Sequence, residues 1–298
     1  MKFGLDKTTR ERIEPTLGQS ATCPCCETEL IPKCGQIKVH HWAHKKGHNC
    51  DPWWEPETEW HRNWKNKFPN DWQEIIKFDT SNNEKHIADI YVPTKELVIE
   101  FQNSPINKDE LESRERFYKK MIWVVNAHDF SIITSSIQSI YGDIKSIEDK
   151  YIQDSMNNNI KVPYEVEEKL LNYRLEIQSI DRALARGQIN LRERNISRGY
   201  YEQEIKRITR DFYLTGDKPE LKDIEEKRKE IDKLVEENKL LDKENQYFKY
   251  KWYWKRKVWS YAQLPVFLDT GQELLWIKSD LIIKKVPKDK FVSKYRNG

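Results

Sequence analysis

The stretch from His86 to Gln102, HIADIYVPTKELVIEFQ, places two acids inside apolar runs: Asp89 among Ile87, Ala88, Ile90, Tyr91 and Val92, and Glu100 within Leu97 to Phe101. Pro93-Thr94-Lys95 separates the runs, so they read as neighbouring β-strands. A carboxylate in a strand core is costly unless a cation or hydrogen bonds compensate it. Two such acids on adjoining strands point to a hard divalent ion held by oxygen. Gln102, two residues beyond Glu100, shares its face by the period of two.

A second constellation precedes this one. All five cysteines lie between Cys23 and Cys50, and all seven histidines between His40 and His128. Cys23-Pro24-Cys25-Cys26 offers a Cys-x-x-Cys knuckle, and His40-His41-Trp42-Ala43-His44 with Cys50 offers the other half of a tetrahedral site. Thiolate and imidazole at these spacings suit a closed, structural zinc site. The quartet selected is Cys23, Cys26, His44 and Cys50, with His41 competing for the histidine position and Cys25, Cys34 and His48 in reserve. The competing readings are reduced cysteines beside surface histidines, or a disulfide cluster.

The elements that must position these residues follow from periodicity. Pro56 opens a helix to about Phe68, with Glu57, His61 and Lys65 on one face and Trp60, Trp64 and Phe68 as an apolar stripe. Strands are expected at Trp72 to Phe78, Lys85 to Val92 and Glu96 to Phe101, then a helix at Asn107 to Lys120 and a buried strand at Met121 to Asn126. The order is α-β-β-β-α-β. Its βαβ crossover requires the last two strands to run parallel.

That order, with an acid late in the second strand and an acid-x-polar triplet in the third, resembles the core of the PD-(D/E)xK nuclease superfamily. The longer pattern CPCC, HHWAH, ETEWHRNWK, HIADI, IEFQNSPI, SRERFY and WVVN is similar to the competence protein CoiA-like nuclease family over residues 20 to 126. The resemblance implies Asp89 and Glu100 as Mg2+ or Mn2+ ligands, joined by the Phe101 carbonyl, and Glu57 as a helix-borne acid completing the site. Gln102 stands where the superfamily's name has lysine, and a neutral amide supplies no positive charge to the transition state. His61 and Lys65 are then candidates to contact the scissile phosphate, with His61 alternatively orienting Glu57. Ser104, Arg114 and Tyr118 match the family pattern; Arg114 and Tyr118, one helical turn apart, are expected to touch substrate or buttress the site. The plainer alternatives are an exposed Asp89 at a strand end and a Glu100–Arg114 salt bridge.

Composition divides the rest. The chain has 298 residues, 37% hydrophobic and 34% charged, with a net charge of +3. So charged a chain is expected to be partly extended, and the small net charge does not by itself argue for nucleic acid. No eighteen-residue apolar run and no signal-peptide pattern is present, so a soluble, cytoplasmic protein without a membrane span is expected. The expected organisation is a zinc-binding module at 1–52, an α/β (α+β) nuclease core at 53–130, a linker with a helix around Ile132 to Ile147 at 131–164, a helical coiled-coil arm at 165–259 and a small basic β element at 260–298.

In the arm, Val166, Leu170, Tyr173, Ile177, Ile180, Leu184, Gly187 and Leu191 step by threes and fours, and the rhythm returns at Tyr201, Ile205, Ile208 and Phe212. After a break from Leu214 to Glu220, Ile224, Ile231, Asn238 and Asn245 repeat by seven beside Leu234, Leu241 and Phe248. A hairpin arm is expected, with a homodimer or a partner protein docking through it as the competing use. Arg194 and Arg198 interrupt the seam, marking a bend or a contact. Tyr247 to Trp259 interleaves rings with Lys249, Lys251, Lys255, Arg256 and Lys257, a composition suited to DNA, or to rings returning to a core while lysines reach solvent. Pro265 to Ile277, around Asp269-Thr270-Gly271, reads as a hairpin.

The expected function is metal-dependent hydrolysis of DNA, in uptake, recombination or defence. The rival is a catalytically inactive nucleic-acid-binding or scaffold protein.

Overall fold

Alternation at 84–92 and unbroken apolar runs at 97–101 and 121–125 call for strands buried on one face or on both. The computed structural model describes residues 1–45, 50–53, 55–81, 83–158, 162–215, 219–252 and 257–296. It divides into two units, residues 1–136 with 240–298, and residues 137–239.

The first unit opens with β1 (Gly4–Asp6), β2 (Arg12–Ile13), β3 (Ala21–Thr22), β4 (Glu29–Lys33) and β5 (His41–His44). They form an antiparallel sheet in the order β2-β1-β3-β4-β5. Met1, Ala21, Cys23, Cys25, Leu30 and Trp42 make its small core. Gly4 is needed there, because a Cβ would lie 2.8 Å from that of Ala21.

Next come α1 (Glu59–Lys65), β6 (Gln73–Asp79), β7 (Glu84–Val92), β8 (Leu97–Gln102), α2 (Lys108–Tyr118) and β9 (Met121–Asn126), in the expected α-β-β-β-α-β order. β6, β7 and β8 pair antiparallel, and α2 carries the chain across to β9, parallel to β8. The first helix is shorter than its stripe predicts. Thr58 caps it, its hydroxyl accepting from the His61 amide. Glu57 therefore precedes the helix rather than riding on it.

The second unit consists of α3 (Ile140–Asn157), α4 (Tyr164–Ala185), α5 (Leu191–Tyr213) and α6 (Pro219–Leu240). α4 and α5 form an antiparallel pair: the Tyr173 and Tyr201 rings meet at 5.6 Å, and Asp181 accepts from Arg194 at 3.0 Å and Arg198 at 2.8 Å. The two arginines that interrupt the seam thus mark a contact. The turn lies at 186–190, where the seam was expected to run on to Leu191. Gly187 takes a φ of 68° there and Asn190 with Glu193 forms a capping box. Glu148, buried on α3, is clasped by Arg210 and Arg228. The expected helix from Ile132 begins later, because Ile132 to Ser136 is strand β10.

α6 stops at Leu240, so Leu241, Asn245 and Phe248 do not continue the heptads. Instead the chain gives β11 (Tyr247–Trp252), β12 (Val266–Asp269), β13 (Leu274–Ile277), β14 (Ile282–Val286) and α7 (Lys288–Arg296). Burial explains the change: Tyr250 and Trp259 enter one apolar cluster with Trp123 and Ile283, which a charged helix would leave in water. These strands complete one sheet in the order β10-β11-β14-β13-β12-β9-β8-β7-β6, with β12 parallel to β9. The β element expected at 260–298 thus contributes strands to the sheet that carries the acids. Lys255 and Arg256, the substrate contacts expected in the tail, lie outside the described residues, as does His48.

Both faces of β9 are covered, Met121, Trp123 and Val125 entering one cluster and Ile122 and Val124 the other. Among the described residues no helix is long and apolar enough to cross a membrane.

Candidate active site

The backbone ladder between β7 and β8 ends at Ile90 and Ile99. Asp89 and Glu100 stand next in that register, and side chains take over there. The Phe101 amide donates to Asp89 Oδ2 at 2.9 Å and the Asp89 amide donates to Glu100 Oε1 at 3.1 Å. On the other edge of β7, Gln73 faces Ile90 and Ile75 faces Ala88, so Glu74 stands opposite Asp89, at a left-handed φ of 50°. Glu74, Asp89 and Glu100 thus form a row across three strands where the backbone pairing is interrupted.

Lys65 of α1 meets this row. Its ammonium, buried, lies 3.1 Å from Glu57, 3.0 Å from Glu74 and 3.1 Å from Asp89 Oδ1. Burial pulls the ammonium down, but Glu57, Asp89 and Glu74 outweigh it and hold the lysine charged, well above its ordinary value. Glu74 also accepts the Lys2 amide at 2.6 Å and the Phe3 amide at 3.0 Å. Against the penalty of burial, Lys65 and these amides bring Glu74 down to about 2.

Glu100 behaves oppositely. Burial and then the Asp89 charge push it up to about 8, although Arg114 Nη1 lies 3.3 Å from its Oε2. Arg114 is occupied on its other sides by Glu110 and by the Trp53 carbonyl at 2.9 Å. It therefore buttresses Glu100. Tyr118 lines the same cavity with its hydroxyl buried and without a hydrogen-bond partner among the described residues.

His61 is set by its helix cap. Nδ1 lies 2.8 Å from the Thr58 hydroxyl and Nε2 2.9 Å from the Phe101 carbonyl. The carbonyl expected as a metal ligand thus accepts one hydrogen bond, which leaves its second lone pair. Gln102 donates its amide to Glu55 and, at 3.0 Å, to the Ser104 carbonyl, leaving Oε1 buried without a partner among the described residues. Ser104 is exposed, its amide 3.3 Å from Glu55 Oε2. Burial works against the Glu55 carboxylate, but hydrogen bonds from His61 and Ser104 hold it below its usual range.

Asp89, Glu100, Glu57, His61, Lys65, Arg114 and Tyr118 all line one cavity of about 70 Å³, room for a few waters or a hydrated ion. Asp51, Glu55 and Glu74 line it too. Sequence reasoning missed these three. Glu74 could have been found as an acid within an expected strand; Asp51 and Glu55 could have been found by alternation in Cys50-Asp51-Pro52-Trp53-Trp54-Glu55-Pro56-Glu57, whose prolines favour an extended chain.

Cys23, Cys26, His44 and Cys50 converge, their ligand atoms all within 4.8 Å of one another. The Cys23 and Cys50 sulfurs are 3.7 Å apart, and Cys26 Sγ is 3.3 Å from His44 Nε2. A tetrahedral zinc with bonds of about 2.3 Å to sulfur needs ligands roughly 3.8 Å apart, so this group could hold zinc. A hydrogen bond from Cys50, then backbone amides of Cys26 and Cys25, bring the Cys23 thiol down to about 5 against burial, favouring a thiolate ligand. His41 turns away, its Nδ1 2.8 Å from the Val39 carbonyl, and Cys34 approaches the Pro15 carbonyl.

Two family models match the chain: competence protein CoiA, N-terminal domain, over residues 5–52, and competence protein CoiA, nuclease-like domain, over residues 78–193. No curated protein and no solved structure matches it.

Proposed function

The chain belongs to the CoiA-like competence protein family, and from that premise we propose that it is a metal-dependent nuclease that hydrolyses DNA, its chemistry centred on Asp89 and Glu100 in a PD-(D/E)xK-like core. The observation that carries the proposal is the interrupted β7–β8 ladder, where the two carboxyl groups interlock at the wall of a small cavity. Burial, and then the Asp89 charge, push Glu100 up to about 8, and a cation bound between the two acids would offset both. An all-oxygen donor set of this kind fits Mg2+ or Mn2+. When bound, the ion supplies Lewis acidity and lowers the pKa of a coordinated water.

The chain's own residues prepare the rest. Lys65, 3.1 Å from Asp89, brings from α1 the positive charge that Gln102 lacks, and it orients Asp89. Arg114 fixes Glu100. The Tyr118 hydroxyl, without a hydrogen-bond partner among the described residues, is a donor available to a phosphate oxygen. His61 and Glu55 hold the Phe101 carbonyl and the residues just after β8, so the end of that strand keeps one geometry.

The competing reading, a non-cleaving nucleic-acid-binding or scaffold protein, draws on one observation: Lys65 already sits among Glu57, Glu74 and Asp89, as a counter-ion would. Incubating the protein with linear, circular and single-stranded DNA and Mg2+ or Mn2+ separates the two. Metal-dependent cleavage lost in Asp89→Ala and Glu100→Ala supports the nuclease. DNA binding with no cleavage of any substrate supports the scaffold.

A further inference from the structure

Alternate residues of the segment that leaves the Cys3His centre each take hold of a different part of the acid site. Cys50 is a member of the quartet. The next residue, Asp51, is 6% exposed, and its carboxylate accepts the Ile87 amide at 2.9 Å, two positions before Asp89 on β7. It also meets His86 Nδ1 at 2.9 Å and the Trp53 amide at 3.0 Å. Trp53 stacks on His86 with ring centroids 3.2 Å apart, and its carbonyl accepts from Arg114, the residue that pairs with Glu100. Glu55 gathers Gln102 and the amides of Asn103 and Ser104 just beyond β8. Glu57 ends the series on Lys65.

We propose that Asp51, Trp53, Glu55 and Glu57 form a positioning segment through which the Cys3His centre sets the geometry of the acid row, with Asp51 its principal positioning residue, a coupling that rests on the divalent-ion reading of Asp89 and Glu100. The physical basis is tether length. Asp51 adjoins a ligand, so closing the thiolate and imidazole shell fixes its carboxylate to within a residue's reach of β7. Opening that shell frees the segment to move, and the hydrogen bonds to Ile87 and Arg114 then have to order a loose chain. Outer groups that orient ligands in this way carry about ten- to a hundredfold in metal affinity.

The test is a Mn2+ titration of the full chain followed by electron paramagnetic resonance, with zinc content and the far-ultraviolet circular dichroism spectrum measured on the same samples. It compares the unsubstituted protein, the zinc-stripped protein and Asp51→Asn. Asp51→Asn is expected to keep its zinc and its spectrum while binding Mn2+ about tenfold or more weakly, and zinc removal is expected to weaken Mn2+ binding to a similar degree. Equal Mn2+ affinity in all three samples overturns the coupling and leaves the nuclease reading standing. A chain that carries no zinc as purified also overturns it. Absence of Mn2+ binding in the unsubstituted, zinc-loaded protein overturns the divalent-ion reading itself, and the coupling with it.

Discussion

Asp89 and Glu100 exchange roles across two strands: each uses its carboxylate to hold backbone at the other's strand, Asp89 Oδ2 taking the Phe101 amide and Glu100 Oε1 the Asp89 amide. The ladder is thereby traded for side-chain bonds, and the strand ends part at the cavity. Both donors are backbone amides, so either truncation removes the one bond that its own carboxylate accepts, together with that carboxylate as a ligand, and leaves the other acid held. Asp89→Ala and Glu100→Ala are each expected to lower metal-dependent cleavage by more than about a hundredfold, beyond the usual cost of losing an outer-shell partner. Single-turnover cleavage of a labelled duplex at saturating Mg2+ measures this, and near-normal rates in either variant would remove the pair from the chemistry.

Lys65 is expected to matter for stability as well as for activity. It is buried, and three carboxylates lie within 3.1 Å of it. Removing one member of such a buried network leaves uncompensated charge, at a typical cost of about 3–5 kcal/mol. Lys65→Met should therefore shift the urea midpoint strongly, and Lys65→Met with Glu57→Gln should recover part of the loss. A Lys65→Met variant as stable as the parent would mean the carboxylates are neutralised some other way.

Local pattern made β7, β8, α2 and β9 legible, because a period of two and short apolar runs bounded by turn residues identify strands without knowledge of their partners. The Cys/His quartet was legible for the same reason, as ligand spacing is a local property. Non-local pairing was not. Leu241, Asn245 and Phe248 continue a heptad rhythm on paper, and nothing nearby says that β12 will pair with β9, more than a hundred residues earlier. Asp51, Glu55 and Glu74 read as ordinary acids until register sets Glu74 against Asp89 and the chain after Cys50 brings the other two to the cavity. Glu57 was placed on the helix because it fits the i, i+4 series with His61 and Lys65; the Thr58 cap overrides that series.

Glu100 and Glu74 give the metal-free protein opposite pH dependences. Glu100 rises to about 8 on folding, so between its unfolded value near about 4.5 and about 8 the folded chain holds a proton that the unfolded chain has released. Stability from this group is present below that window and is lost as pH rises through it. Glu74 falls to about 2, so its contribution is present above about 4.5 and is lost as pH drops toward about 2. Urea midpoints measured from pH 5 to pH 9 should decline less steeply in Glu100→Gln than in the parent. Parallel profiles would show that Glu100 does not carry the proton.

The Cys3His centre predicts its own selectivity among similar residues. His44 Nε2 lies 3.3 Å from Cys26 Sγ, while His41 faces the Val39 carbonyl; Cys50 lies 3.7 Å from Cys23, while Cys34 faces the Pro15 carbonyl. Purified protein should carry one zinc per chain, retained in His41→Ala and Cys34→Ser and lost in His44→Ala and Cys26→Ser. Loss should also lower the thermal midpoint, because the core around Cys23, Leu30 and Trp42 is small and a bound ion contributes folding energy to such modules. Zinc analysis of the four variants decides it: a His41→Ala protein without zinc, or a His44→Ala protein that keeps it, would exchange the ligand for its neighbour and move the centre away from Cys50.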